Sequence, residues 1–271
     1  MVMGLYVQNV VRNSDVRTDV RTLVPDAGAR RRMSRIVKES VCTAVECIGG
    51  VDMISELDAI ITATGYGCLA DSEKFLRNII NDKEELLNPA PFIQSTFNTV
   101  GGVLAMMRHN HCYNMTYVNR GHSFEDALLD AFLRAEDCIS HRILVGAFDE
   151  RVDSQYHIME RMGAWRNGQC GEGAVFMLLS SQQTQDSICQ VKTVDFAGTK
   201  ISDAECMRKY ASCRGVRLIR NDISESGKYP SASSVMFASA VDMIKEGEPE
   251  VIIYNDIWGG GPAIVVLRCI C

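Results

Sequence analysis

Residues 114–128 read Asn-Met-Thr-Tyr-Val-Asn-Arg-Gly-His-Ser-Phe-Glu-Asp-Ala-Leu, and the rest of the chain is best understood outward from this stretch. A short run of mixed apolar and polar residues meets a tight turn and then an amphipathic helix. Such an arrangement lifts a reactive side chain onto a helix N-terminus, where the helix dipole favours a thiolate or an oxyanion. The residue at the tip is Val118, whose side chain has no lone pair to attack with. The stretch therefore predicts the geometry of a nucleophile without the nucleophile itself.

Apolar periodicity on both sides of this stretch predicts alternating helices and strands. Helices are predicted over about residues 33–48, 71–81, 99–107, 123–138, 203–212 and 233–246. Strands are predicted over about residues 57–64, 116–118, 141–147, 174–179, 188–196, 251–254 and 263–271. Asp71 or Ser72 is expected to cap the second helix. The alternation predicts an α/β protein with a mixed, largely buried sheet, and disorder is left open only near the N-terminus.

The composition of the chain bounds its class. The 271 residues are 46% hydrophobic, which suffices for one large domain or for two fused halves with a sizeable core. No run approaches the length of a membrane span, and the start lacks the pattern of a signal peptide, so we expect a cytoplasmic protein. The formal net charge of −6 argues against a nucleic-acid partner.

Cysteines and histidines give little indication of a metal or of a disulfide framework. The eleven cysteines are scattered and contain no CxxC pair, which favours buried structural thiols in a reducing compartment. The five histidines lack accompanying carboxylates or thiols at metal-site spacing. We therefore expect neither a metal nor a cofactor.

Two glycine-rich turns are candidate functional segments. Gly171-Glu172-Gly173-Ala174 precedes an apolar strand, and the pattern fits either a strained turn around a bonded carboxylate or an ordinary strand entry. Residues 255–261 lie between two strands and read Asn-Asp-Ile-Trp-Gly-Gly-Gly. Three glycines allow backbone amides to approach a ligand and act as oxyanion donors, although a plain hairpin turn fits the pattern as well.

In chain order, these segments resemble the motifs of the β-ketoacyl synthases of fatty-acid and polyketide synthesis, in the thiolase-like superfamily. The resemblance covers roughly residues 30–271. Six segments match family patterns loosely and in the same order. They are residues 31–35 (RRMDR), Asn98 (the asparagine before the elbow), 116–121 (T-A-C-S-S-G), 171–174 (G-E-G-A), 227–234 (G-H-T-x-G-A-A-G) and 255–261 (N-S-F-G-F-G-G). The resemblance implies a single domain over residues 1–271 with a layered α/β/α/β/α fold. It has two related halves, about 1–180 and a shortened half of about 181–271.

The departures from the family pattern concern the residues of the reaction. The family needs a cysteine nucleophile and two histidines that assist decarboxylation of a malonyl thioester. Here the nucleophile position is Val118 and the second-histidine position is Lys228, while the motif of the first histidine has no counterpart. No catalytic residue is therefore assigned. The acyl-pocket or oxyanion region is expected to contain the following residues: Tyr117, Asn119, Asn255, Trp258, Gly259 and Gly260.

Three functions remain open at this point. The first is a non-catalytic subunit of chain-length-factor type that forms a heterodimer with an active ketosynthase and meets acyl carrier protein, with Arg30–Arg32 as a candidate docking patch. Tyr117, Phe124 and Met115 would then help to fix product length, with Trp258 as a gate. The second is an active condensing enzyme or malonyl-thioester decarboxylase with a relocated group, for which Cys112 is the nearest cysteine in sequence. The third is a homodimer that binds acyl chains or scaffolds a pathway.

Overall fold

The computed structural model describes residues 4–82, 85, 87–165, 169–224, 226–259 and 261–270. The described residues form nine strands: β1 (Leu5–Arg12), β2 (Ala59–Ala63), β3 (Tyr113–Tyr117), β4 (Arg142–Asp149), β5 (Gly173–Ser180), β6 (Cys189–Phe196), β7 (Arg217–Arg220), β8 (Glu250–Asn255) and β9 (Ala263–Cys269). They also form ten α-helices: α1 (Val20–Leu23), α2 (Ala27–Arg32), α3 (Arg35–Ile48), α4 (Leu69–Asn81), α5 (Ala90–Gln94), α6 (Thr99–Met107), α7 (Ser123–Glu136), α8 (Asp153–Arg161), α9 (Asp203–Tyr210) and α10 (Ser233–Lys245).

The strands are hydrogen-bonded in the order β3-β2-β4-β5-β1-β6-β9-β8-β7, and the order repeats a pattern. In the first half, β2 pairs in parallel with both β3 and β4, whereas β5 is antiparallel to β4 and β1. In the second half, β7 and β8 are parallel, and β9 is antiparallel to β8 and β6. The two halves meet where β1 and β6 pair antiparallel over three residues. Strands β6, β7, β8 and β9 thus repeat the arrangement of β1, β2, β4 and β5.

The second half has no counterpart of β3 among the described residues, since β7 ends the strand order. This confirms the expectation of two related halves of which the second is shortened.

Alternation along the strands builds the layers, because successive side chains of a strand point to opposite faces of its sheet. Ile61 of β2 and Ile253 of β8 point into one core that contains α7 and α10. Ile60 of β2 points to the other face, which α3 and α6 cover. Ile252 of β8 faces a smaller cluster with Cys206 of α9. The order of layers is therefore helix, half-sheet, helix, half-sheet, helix, as the α/β/α/β/α expectation requires, and the two half-sheets are joined in one sheet through β1 and β6.

Two strands and four helices were not predicted from the sequence, and one predicted cap is wrong. Strand β1 lies in the middle of the sheet, in the N-terminal region where disorder had been left open. Strand β7 and the helices α1, α2, α5 and α8 were also missed. Helix α4 begins two residues before Asp71, so its N-cap is Cys68 and the Asp71 side chain is buried in the first turn. Burial raises the pKa of the Asp71 carboxyl.

Candidate functional site

The predicted strand, turn and helix around Val118 are present. Strand β3 ends at Tyr117, Val118 follows with 44% of its surface exposed, and a 3₁₀ turn over Arg120–His122 leads into α7. Arg120 has a φ of 50°, in the left-handed region that side chains with a Cβ rarely adopt. The Ser123 hydroxyl accepts a hydrogen bond from the Asn119 N–H (2.8 Å) and donates one to the Arg120 carbonyl (2.9 Å). Val118 is thus held at the tip of a strained turn.

Trp258 forms the wall opposite this turn. A Cβ on Gly121 would lie 2.5 Å from the Trp258 ring, so only glycine fits there without displacing the ring. The indole N–H donates to the Tyr229 carbonyl at 3.1 Å, and Tyr66 meets the ring edge-on at 6.3 Å between centroids. Gly259 follows with a φ of 78°, and the predicted Gly260 lies outside the described residues. Trp258, in edge contact with Tyr66, therefore packs against the turn that leads into α7.

Lys228 lies beside Trp258. Its Nζ is 4.9 Å from the centroid of the Trp258 ring, within reach of a cation–π attraction. The backbone of Lys228 forms an isolated parallel bridge to Cys170, in which the Gly171 N–H donates to the Lys228 carbonyl at 3.1 Å. The structure therefore brings Lys228, Trp258 and a cysteine together, and Cys170 was not singled out in the sequence.

Asn255 serves the fold rather than a ligand. Its side chain is buried, and its amide group donates to the Gly121 carbonyl (2.9 Å) and to Oε1 of Glu125 (2.8 Å). Its Oδ1 accepts from the Ile257 N–H at 3.2 Å. Since both classes of its polar atoms are used internally, Asn255 positions the turn and offers no free donor to an oxyanion.

Glu125, the partner of Asn255, is fully buried near the start of α7. Burial raises the pKa of its carboxyl to about 7, against the opposing effects of the Asn255 and Ser233 side chains. Its Oε2 has no hydrogen-bond partner among the described residues. A carboxyl in this environment carries a proton over much of the range below neutrality.

Asp149 at the end of β4 is a buried hub that the sequence did not reveal. Its carboxylate accepts from the Thr64 hydroxyl (2.8 Å) and from the N–H groups of Gly65 (2.9 Å) and Tyr66 (2.7 Å). On its other side it accepts from the N–H (2.9 Å) and the hydroxyl (2.7 Å) of Ser231. Burial raises the pKa of Asp149, while these five donors favour the charged form. The only hint in the sequence was an acid directly after an apolar strand.

The first and third motifs of the resemblance meet in space. Arg35 forms an ion pair with Glu172, and the Arg151 N–H donates to the same carboxylate at 2.9 Å. Partial burial acts to raise the pKa of Glu172, but the Arg35 guanidinium and the Arg151 N–H together hold it below its usual value. Glu172 therefore fits the first interpretation of this turn, a bonded carboxylate between two glycines.

The remaining predicted residues have other surroundings. Asn119 donates from its amide to Asp126 at 2.8 Å on the surface. Tyr117 is half-buried, and its pKa is raised by burial and by the nearby Asp130 carboxylate. Phe124 is buried in the central layer against Phe237, with 5.6 Å between ring centroids, and Met115 is exposed on β3. Phe124 therefore packs in the core of the central layer.

Cys112, the cysteine nearest to Val118 in sequence, lies far from the tip of the turn. Cys112 precedes β3, whereas Val118 follows it, so the two lie about 20 Å apart along the strand. Partial burial raises the pKa of the Cys112 thiol and likewise that of Cys170. Within the described ranges, no three His, Cys, Asp or Glu side chains are grouped as a metal site would require, and no helix is long and apolar enough to cross a membrane.

The layered fold with its elbow and terminal glycine turn defines the class of thiolase-like proteins. The model of the β-ketoacyl synthase N-terminal domain matches residues 8–229, which is most of the chain. The chain belongs to the β-ketoacyl synthase family. The match begins earlier than the motifs in the sequence indicated, because it takes in part of β1, and it ends before the Asn255–Gly259 turn.

Solved structures of the same fold include synthases and their partner subunits. The ishigamide ketosynthase/chain length factor is 14% identical, with a TM-score of 0.77 over 99% of this chain and 100% of that one. A β-ketoacyl synthase from Burkholderia phymatum is 10% identical, with a TM-score of 0.75 over the whole of both chains. A ketosynthase in complex with its chain length factor from Xenorhabdus doucetiae is 12% identical, with a TM-score of 0.62 over 98% of this chain and 100% of that one. No curated protein matches the chain by sequence.

Proposed function

We propose that this chain is a non-catalytic subunit of chain-length-factor type, which pairs with an active ketosynthase in fatty-acid or polyketide/polyene synthesis on acyl carrier protein. The observation that carries the proposal is Val118 at the exposed tip of the elbow turn. A valine cannot form the acyl thioester on which the covalent step of condensation depends. Lys228, in place of the second histidine, could stabilise an enolate charge but cannot supply that step.

The open edge of β3 supports a partner at this face. Strand β3 ends the strand order on its side, so no described strand covers its outer edge. Helices α6 and α7 both pack against β3 and expose Met106 (75%) and Leu133 (49%), and Met115 (42%) is exposed on the strand itself. An unpaired edge flanked by exposed apolar side chains is a favourable surface for a second chain.

The wall formed by Trp258, with Lys228 beside it, supports a role of this chain in shaping an acyl pocket. Trp258 packs against the turn that leads into α7 and is fixed by its bond to the Tyr229 carbonyl, so its ring has a defined position. A rigid aromatic wall beside an elbow suits the limitation of chain length, and Tyr117 lies on the strand that leads to the same turn. In a reconstituted pair with an active ketosynthase, Trp258→Ala is expected to lengthen the product. An unchanged product distribution would remove Trp258 from this role.

The decisive experiment is the intact mass of the protein after incubation with a reactive acyl thioester and, separately, with malonyl thioester. In acylation, a cysteine thiolate attacks the thioester carbonyl, the carrier thiol leaves, and the protein gains one acyl group. We expect no adduct on the wild-type protein and intact malonyl thioester. Val118→Cys places a thiol at the elbow tip and is expected to gain one acyl group there, with Val152→Cys at the half-buried N-cap of α8 as the control. An acyl adduct on the wild-type protein would overturn the proposal.

The position of Cys170 favours a second candidate, a condensing enzyme with a relocated nucleophile. Cys170 is half-buried and bridges the backbone of Lys228, so an adduct on it would lie at the candidate site. Its raised pKa argues against this function, because the thiolate is the attacking form. Peptide mapping of any adduct and its loss in Cys170→Ser would identify this enzyme. Purification without a ketosynthase, as a stable homodimer, would instead favour a chain-binding or scaffolding protein.

A further inference from the structure

An open cleft of about 750 Å³ lies at the end of the sheet opposite to the elbow. It is formed where α3 ends at Ile48, where β4 begins at Arg142 and where β5 ends at Ser180. Since Asp149 at the other end of β4 is seven residues further, about 23 Å of strand separate this cleft from the Trp258 site. The volume falls within the range of small-molecule sites. The cleft is therefore a separate feature of the fold.

The cleft contains an arginine, Arg142, whose side chain forms no ion pair with the described residues. Arg142 is half-buried, and its Nε is buried with no hydrogen-bond acceptor among the described residues. No ion pair of Arg142 occurs in the part of the chain that the structure describes, although the backbone N–H of the same residue is bonded to Asp58 at 2.9 Å. Because the Nε is sealed from solvent, an anion in the cleft would meet the terminal nitrogens of the guanidinium, a group with a particular affinity for carboxylates and phosphates. The side chain is therefore complementary to an anion.

The walls of the cleft are amphipathic and fixed. Ile48, Cys47 and Leu178 form an apolar floor. On the rim, Gln8 donates to the Ser187 hydroxyl and accepts from Thr184, both at 2.8 Å. Gln8 occupies this position because the register of β1 against β5 shifts between Val7 and Asn9, a β-bulge that re-aims one side chain. An apolar floor with one cation and polar rims fits an organic anion with a small apolar body.

We propose that this cleft binds a small organic anion, a carboxylate or a phosphate ester with an apolar body, through the Arg142 guanidinium. The site is independent of the proposed subunit function, because it involves neither the elbow nor the β3 edge. Asp186 on the exposed rim allows a second test of anion binding, because its carboxylate repels an anion that enters the cleft. Loss of Arg142 must weaken binding, whereas loss of the Asp186 charge must strengthen it.

The test uses ligand-observed ¹⁹F NMR with 4-fluorobenzoate, 4-fluorophenyl phosphate and the neutral 4-fluorobenzamide. We expect at least one anion to bind with a dissociation constant in the range of about 1 mM or below, and the amide to bind more weakly. Arg142→Gln should weaken that anion by about tenfold or more, Arg142→Lys should weaken it less, and Asp186→Asn should strengthen it about twofold. The relative affinities of the two anions show whether the cleft prefers a carboxylate or a phosphate ester.

Two controls make the outcome specific. Arg214→Gln removes an exposed cation elsewhere and is expected to leave binding unchanged. Lys228→Met tests whether the anion instead binds beside Trp258. The proposal is overturned if neither anion binds, if Arg142→Gln binds as well as wild type while retaining its thermal unfolding midpoint, or if Lys228→Met alone abolishes binding.

Discussion

In each half of the molecule, the central strand ends in a buried polar residue that bonds the other half, but the residue differs between the halves. In the first half, β4 ends in Asp149, which bonds Ser231 of the second half just before α10. In the second half, the equivalent β8 ends in Asn255, which bonds Gly121 of the first half just before α7. Each central strand therefore ends in a buried polar residue that reaches across to the turn before the other half's central helix. The halves are tied together reciprocally at the candidate site.

The Asp149–Ser231 contact is called the first tie and the Asn255–Gly121 contact the second tie. The two ties differ in the charge of the residue that makes them. Asp149 is an acceptor that gathers five donors, whereas Asn255 is mainly a donor whose acceptors include the carboxyl of Glu125. A carboxylate surrounded by donors is stable when charged, but a buried carboxyl beside one amide is stable when protonated. The donors around Asp149 oppose the burial that raises its pKa. Glu125 has a single amide partner and a pKa raised to about 7, so the second tie is expected to weaken as the pH rises through neutrality.

The largest effect is expected for Asp149→Ala. The change leaves the buried N–H groups of Gly65, Tyr66 and Ser231 without an acceptor, and it should lower the free energy of unfolding by about 3 to 5 kcal/mol. Urea unfolding measures the loss, with the exposed Asp137→Ala as the matched control, expected within about 0.5 kcal/mol of wild type. If Asp149→Ala lowered the free energy of unfolding no more than Asp137→Ala does, the contact between the halves would not depend on this carboxylate.

Glu125→Gln tests the second tie through its pH dependence. The folded protein keeps the Glu125 proton up to about pH 7, whereas the ordinary value is 4.5, so between these values the folded state binds more protons than the unfolded chain. The contribution of Glu125 to stability therefore falls as the pH rises through this window. The stability of Glu125→Gln relative to wild type should rise by about 2 to 3 kcal/mol from pH 5 to pH 8.

Unfolding at the two pH values, with exposed Glu136→Gln on the same helix as control, provides the measurement. If the difference between Glu125→Gln and wild type stayed constant with pH, the carboxyl would titrate normally, and the contrast between the two ties would be lost.

Gly121→Ala tests the close approach of the halves at the Trp258 wall. The added methyl must displace the Trp258 ring, and such overpacking is expected to cost about 1 to 2 kcal/mol and to change the tryptophan fluorescence. The double variant Gly121→Ala/Trp258→Ala should show less than additive destabilisation. Gly102→Ala in α6, where a Cβ meets nothing within 4 Å, is the control and should not destabilise. Additive losses in the double variant would argue against the contact.

The smallest effect is expected for Ser231→Ala. It removes one hydroxyl donor from Asp149 but leaves the four other donors, so the loss should be about 1 kcal/mol. In a double-mutant cycle with Asp149→Ala, the Ser231 change should become nearly neutral, because its acceptor is gone. Equal costs in both backgrounds would show that the Ser231 hydroxyl stabilises the protein through some other contact.

Long periodic segments could be predicted from the sequence, whereas elements stabilised by their neighbours could not. Helices α3 and α10 carry apolar residues at helical spacing, and each is observed within two residues of its predicted start. Strand β1 was missed because polar Gln8 and Asn9 interrupt its alternation, and the sheet accommodates them with a bulge. Strand β7 was missed because arginines flank only two apolar residues, and it exists through its pairing with β8. Neither strand has a strong local preference of its own.

The sequence by itself determined the class of fold, which follows from local periodicity and from the order of the motifs, and residue identity alone put a valine at position 118 and a lysine at position 228. Only the tertiary structure decided which groups meet. It brought Cys170 rather than Cys112 to Lys228, used Asn255 as an internal tie, made Asp149 a hub and placed the Arg142 side chain in a distant cleft without an ion pair among the described residues. Such contacts join residues far apart in the chain, and the free energy of burying a polar group depends on those neighbours and not on its own sequence context.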